Sequence, residues 1–177
     1  PPIEYIKVSG GLFKDMMIHD FDMANFIKGE APIQLSAIAS SIVNAEIEKA
    51  GDVDTAVVTM QYLDGSMAVI KNSRRAAYGY DQRLEVLGSG GLLQAQNMLE
   101  NTIVKSTENG VVSAKPTYFF LERYMPAYRA EWDAFMDVIT QKKDIPVGMD
   151  DGVIALAMAE AAKLSLAVGE PVELSKI

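Results

Sequence analysis

The sequence predicts an α+β fold, an open, mainly antiparallel β-sheet with helices packed on one face. Three observations predict it: helical patterns stand at both ends of the chain, period-two patterns fill the middle, and the turns joining the strands are hairpin turns. Strands joined by hairpins run antiparallel, so they do not build the parallel sheet of a nucleotide-binding fold.

Taken in order, Pro1 to Val8 reads as a strand entered in mid-protein. It has no initiator Met, basic stretch or apolar stretch of a signal peptide, so the chain is expected to be a piece of a longer protein. After Ser9-Gly10-Gly11 a helix is predicted from about Leu12 to Lys28, with Gly29 as its stop and Pro32 just beyond. Asp54, Ala56, Val58, Met60 and Tyr62 then alternate with Val53, Thr55, Val57, Thr59 and Gln61, the mark of a strand buried on one face. Asp64-Gly65 is a hairpin signal, with Met67 to Ser73 returning. Arg83 to Leu87 puts Leu84 and Val86 on one face, and Gly88-Ser89-Gly90-Gly91 turns the chain into Leu92 to Gln96. Ile103 to Ser106 and Val111-Val112 make a further hairpin across Glu108-Asn109-Gly110.

Two helices close the chain. Tyr128, Trp132, Phe135 and Ile139 form an apolar stripe at helical spacing, read as core. Pro126 either opens that helix's regular part at the first turn or kinks a helix begun near Tyr118. The last helix starts at Asp150-Asp151, where a carboxylate can cap free N–H groups. Its expected buried stripe is Ile154, Met158, Ala161, Ser165 and Val168, ended by Gly169 and Pro171. The whole of 1–177 is read as one domain.

Composition removes several classes of function. The net charge is -8, whereas a nucleic-acid binder carries a basic surplus. No apolar run reaches the roughly 18–20 residues of a membrane span. Cysteine is absent, so there is no disulfide, zinc–thiolate site or thiol nucleophile, which fits a reducing, cytoplasmic setting.

The only histidine is His19. In a helix, Asp15, His19 and Asp22 fall at i, i+4 and i+7 on one face. A carboxylate on one imidazole nitrogen fixes the tautomer and frees the other nitrogen to accept a proton, as a general base must. Two other readings stay open on spacing alone. One is a solvated polar helix face; the other is a metal site on Asp15 and His19, which lacks an obvious third ligand. Gly88-Ser89-Gly90-Gly91 reads as a plain turn, since Leu93 stands where a dinucleotide loop needs glycine and no helix follows. Asn72-Ser73-Arg74-Arg75 and Tyr78-Gly79-Tyr80-Asp81-Gln82-Arg83 are dense in groups that could line a sugar-like ligand, or are strand ends at the surface.

The run Gly10-Gly11-Leu12-Phe13-Lys14-Asp15-Met16-Met17-Ile18-His19-Asp20-Phe21-Asp22-Met23-Ala24 resembles the helix motif of the inositol 2-dehydrogenases, within the glucose-fructose oxidoreductase-like dehydrogenase family. Gly51-Asp52-Val53-Asp54-Thr55-Ala56, Asn72-Ser73-Arg74, the Tyr78–Arg83 segment, Asp150-Asp151-Gly152, Ala159-Glu160-Ala161-Ala162 and Ser165 extend the similarity along the whole chain. The resemblance implies a two-domain enzyme whose N-terminal Rossmann domain holds NAD and whose C-terminal α+β domain receives the polyol. It further implies a homotetramer built through the open sheet face, here carrying Thr55, Val57 and Thr59 with Arg83 and Glu85. His19 is then the catalytic histidine, Asp15 its carboxylate partner, and Asp22 and Tyr78 substrate contacts. The family's catalytic lysine, in a Glu-Lys-Pro motif, has no counterpart in these residues. The chain alone is therefore expected neither to bind NAD tightly nor to turn over inositol. A related sugar or other-inositol dehydrogenase domain, or a non-catalytic binding or assembly domain, are the alternatives.

Overall fold

The helix expected after Gly10-Gly11 is present in the computed structural model, which describes Pro1–Ile177. It opens as a π-helical turn, Phe13–Met17, and continues as α2, Ile18–Lys28, with Gly29 left-handed at its end (φ 75°). The chain before it is not the expected strand. Ile3–Ile6 form one short helical turn, α1, closed by N–H groups of Tyr5 and Ile6 on the carbonyl of Pro2. Only Ile6 of this turn is buried, so the stretch never presents the two-sided pattern a strand needs.

The residues divide into two compact units, Pro1–Arg75 with Val147–Ile177, and Ala76–Pro146. In the first unit a four-stranded antiparallel sheet has the order β3-β2-β1-β8, where β1 is Gln34–Ser40, β2 Thr55–Gln61, β3 Met67–Ser73 and β8 Val172–Glu173. The β2–β3 hairpin turns at Asp64-Gly65 as predicted, pairing Gln61 with Met67 and Thr55 with Ser73. The carboxylate of Asp64 accepts from the N–H and Oγ of Ser66, and so stiffens the turn. Strand β1 has no counterpart among the elements expected from the sequence. Its Gln-Leu-Ser-Ala-Ile-Ala-Ser sequence is rich in residues of weak β preference, yet it pairs with β2 over its full length and with β8 at Gln34 and Leu35. A short helix, α3 (Ala45–Lys49), links β1 to β2.

One face of the sheet carries Leu35, Ala37, Ala56, Val58 and Met60 into the core, with Tyr62 just beyond β2. Against them pack Leu12, Phe13, Met17 and Phe21 of the first helix, and Met158, Ala159, Ala161 and Ala162 of α5, Met149–Val168. The alanines of α5 let it lie close to the sheet, where Ser165 Oγ accepts the N–H of Ala37 (3.0 Å) and donates to the carbonyl of Glu170 (2.7 Å). Val168, expected in this stripe, is exposed, and Ile154 is only partly buried. Asp151 accepts the N–H of Gly148 (2.7 Å) and fastens the start of α5. The opposite sheet face, with Ile38, Val57, Thr59, Met67 and Val69, has no helix of this unit over it and is largely exposed.

The second unit holds two hairpins, β4–β5 (Leu84–Gly88 and Gly91–Ala95) and β6–β7 (Val104–Thr107 and Gly110–Ser113), and the helix α4, Phe120–Gln141. Pro126 lies inside α4, six residues from its start, so it does not open the helix. The aromatic stripe read as core is exposed instead, Trp132 at 62% and Phe135 at 54%. Periodicity marks which face of a helix is apolar, but not whether a partner for that face lies within the same unit. Neither unit contains a helix long and apolar enough to cross a membrane.

Candidate active site

His19 stands exposed in the first turn of α2, while Leu12, Phe13, Met17 and Phe21 are turned into the core. Beyond His19 the outward stripe is apolar: Met23, Phe26 and Ile27 are exposed at 45%, 74% and 39%. A purely solvated polar face would not continue that way. Asp20 beside it is partly buried and accepts a hydrogen bond from Asn72 Nδ2 (2.9 Å). Burial raises its carboxyl above the usual carboxylate range, against the opposing pull of Asn72 and His19. Asp22, partly buried, makes no hydrogen bond or ion pair with the protein, so its oxygens are free to accept.

Asp15 sits within the π-helical turn, so a regular i, i+4 helical register does not describe its relation to His19. It makes no hydrogen bond to His19. One oxygen accepts from the hydroxyl of Tyr5 and the other from Arg74 Nη1 (2.9 Å). Arg74 is buried, with 3% of its side chain exposed, and its second amino group reaches Asp52 (3.2 Å). Asp52 also accepts the N–H of Leu12 (3.0 Å). Its approach requires Gly11, where a Cβ would lie 2.7 Å from the carboxylate and φ is +86°. The backbone N–H of Arg74 is held by the carbonyl of Asp54 (2.8 Å). Asp54 is fully buried: its two oxygens accept from the N–H groups of Ile42, Val43 and Asn44 and from Thr55 Oγ1. Burial pushes this carboxyl up, but those four donors outweigh it and hold it low.

Tyr78 belongs to the second unit, half exposed. Its hydroxyl bonds to Asp81, which is also gripped by Arg83 (2.7 and 2.9 Å) and Asn97 (2.8 Å). Arg83 holds the Asp81 carboxyl well below the usual range. This polar segment is thus knotted locally, and Gly79 at its centre packs where a Cβ would stand 2.6 Å from the carbonyl of Pro116. An open groove of about 390 Å³ in the first unit is lined by Gly10, Gly11, Lys14, Asp52 and Lys163 among others, and His19, Asp15 and Asp22 do not line it.

Residues 4–174 match the oxidoreductase family, C-terminal alpha/beta domain. The chain belongs to this family. It is 48% identical over 177 residues to a myo-inositol 2-dehydrogenase of Thermotoga maritima, of which it spans 53%. A crystal structure of a probable dehydrogenase from Thermotoga maritima superposes with a TM-score of 0.97 at 47% identity, covering 100% of this chain and 54% of that one. A scyllo-inositol dehydrogenase from Lactobacillus casei, solved with bound NAD(H) and scyllo-inositol, gives a TM-score of 0.88 at 30% identity, covering 98% and 52%. The chain thus spans about half the length of the curated relatives it matches.

As a C-terminal domain of this oxidoreductase family, the chain offers no dinucleotide cradle of its own. Gly88-Ser89-Gly90-Gly91 is the turn of the β4–β5 hairpin, and no helix N-terminus follows it to receive a pyrophosphate. No three His, Asp or Glu side chains converge as a metal ion would require. Sequence reasoning singled out His19, Asp15 and Asp22, and the structure places all three on or just before α2 without a hydrogen bond between them. It missed the tie from Asp15 to Arg74, although Asn72-Ser73-Arg74, charged and polar residues at the end of a half-buried strand, was the visible signal.

Proposed function

We propose that this domain is the polyol-binding half of an NAD-dependent inositol 2-dehydrogenase, which oxidises a ring hydroxyl of myo-inositol to the ketone. The observation that carries the reading is the chain's only imidazole, His19, held exposed beside carboxylates on a helix whose inner face is locked into the core. The relatives' inositol activities and the NAD(H) and scyllo-inositol bound in one of them support the substrate class.

In this reading His19 takes the proton of the reacting hydroxyl. Its freedom from protein hydrogen bonds leaves a ring nitrogen available for that contact. Asp15, in the π-helical turn before α2, is the proposed carboxylate partner of the imidazolium that forms. Asp22, unpartnered, accepts hydrogen bonds from neighbouring hydroxyls, and Asp20 stands between them, steadied by Asn72. Tyr78 is a further hydroxyl contact on the strength of the resemblance; its phenolic oxygen donates to Asp81 and keeps its lone pairs to accept. NAD, when bound, supplies the hydride acceptor, and its site is assigned to a nucleotide-binding domain outside these residues. The bare face of the four-stranded sheet is the surface assigned to homo-oligomer formation.

The test is His19→Ala in the two-domain protein. Turnover should fall by about a hundredfold or more, as for loss of a positioned base. Near-normal turnover would overturn the role of His19.

A further inference from the structure

Arg74 is an expensive residue to bury. Its side chain is 3% exposed, it faces two carboxylates with one positive charge, and its Nε–H has no hydrogen-bond partner. A buried ion pair is often no more stabilising than apolar side chains of the same volume, so stability alone is a weak reason for this cluster. The geometry supplies a better one. Arg74 follows directly on β3 and is anchored through its own N–H to the carbonyl of Asp54, ahead of β2. From there its guanidinium grips Asp15 inside the π-helical turn and Asp52, which in turn holds the N–H of Leu12 at the start of that turn.

We propose that Arg74 is a positioning residue for the dehydrogenase site: it fixes the carboxylate of Asp15, and with it the π-helical turn that leads into the first turn of α2, from which His19 projects. A planar, fork-shaped cation can hold two carboxylates in fixed directions, which a lysine cannot. Tyr5 completes the grip by donating to the other oxygen of Asp15. Asp15 is thereby held on the β3 side, between Arg74 and Tyr5. The carboxylate is not drawn into an ion pair with the imidazole, which keeps the ring free for substrate. Displacements of about 1 Å at such a group cost on the order of a hundredfold in rate.

The inference rests on the dehydrogenase reading, so wild-type oxidation of myo-inositol by the two-domain protein is the control that tests the reading separately. Against it, Arg74→Gln, Asp15→Asn and the double variant form a cycle. Arg74→Gln should lower kcat by roughly tenfold to a hundredfold with KM for NAD unchanged. In the Asp15→Asn background the same change should cost less than about threefold, because the residue through which Arg74 acts is already disabled. Losses that multiply in the double variant, or a wild-type kcat in Arg74→Gln, would overturn the proposal. If Arg74→Gln does not fold, Arg74→Lys takes its place in the same cycle, with the same two outcomes deciding.

Discussion

Asp54→Asn offers the sharpest check on what holds the first unit together. Asp54 Oδ1 accepts from the N–H of Ile42 (3.1 Å) and Thr55 Oγ1 (2.9 Å), and Oδ2 from the N–H groups of Val43 (2.8 Å) and Asn44 (2.9 Å). An amide keeps one acceptor oxygen and turns an NH2 group toward two donors. Each hydrogen bond to a charged group contributes about 1.5–3 kcal/mol, so two lost bonds amount to roughly 3–6 kcal/mol. Removing a buried charge returns part of that, which leaves an expected loss of about 2–4 kcal/mol. Urea denaturation at neutral pH, followed by far-UV circular dichroism, measures it; the single Trp132 lies in the second unit and is the wrong probe. The sign with pH follows from the lowered carboxyl. The unfolded chain binds the proton more readily, so the stabilisation is present above the ordinary Asp value and is lost as pH falls through the folded value. The gap between wild type and variant should therefore close in acid. A loss below about 1 kcal/mol, or a gap independent of pH, would refute the reasoning.

Other perturbations probe single features. Asp20 titrates above the usual range because it is buried, so its favourable contribution exists at low pH and is lost as pH rises through its folded value. Asp20→Asn keeps an acceptor for Asn72, and should flatten the pH dependence of stability just above the ordinary Asp value in the same denaturation series. Gly79→Ala forces a Cβ to 2.6 Å from the Pro116 carbonyl at a φ of +138°, and should destabilise the second unit by roughly 2–4 kcal/mol. Trp132 fluorescence is the readout there. Ser165→Ala leaves the N–H of Ala37 without an acceptor, for a loss of about 1–3 kcal/mol in urea denaturation.

What could be read from the sequence was what short-range chemistry determines. Asp64-Gly65 specifies its hairpin within four residues, and the alternation from Asp54 to Tyr62 marked the buried face correctly, Asp54 included. Gly29 and Gly169 stop their helices in the left-handed conformation that glycine accepts without strain. Strand β1 escaped notice because Ala and Ser carry little β preference, and because exposed Ile38 disguises which face is inner. The stripe on α4 reads as core and is exposed, since apolar spacing is blind to what lies opposite it. At the site, the Asp15–His19 spacing located the helix and its outward imidazole. It could not show the π-helical turn, nor that Asp15 would bond to Arg74, 59 residues further on. Contacts of that range depend on how strands and helices meet, which periodicity does not encode.

NAD reduction by myo-inositol tests the central claim most directly, measured on the two-domain protein with these 177 residues alone as the control. The expected result is turnover by the two-domain protein and none by the control. Silence from the two-domain protein across myo-inositol and a panel of other inositols and sugars would contradict the dehydrogenase reading, and return His19, Asp15 and Asp22 to a polar helix face without chemistry.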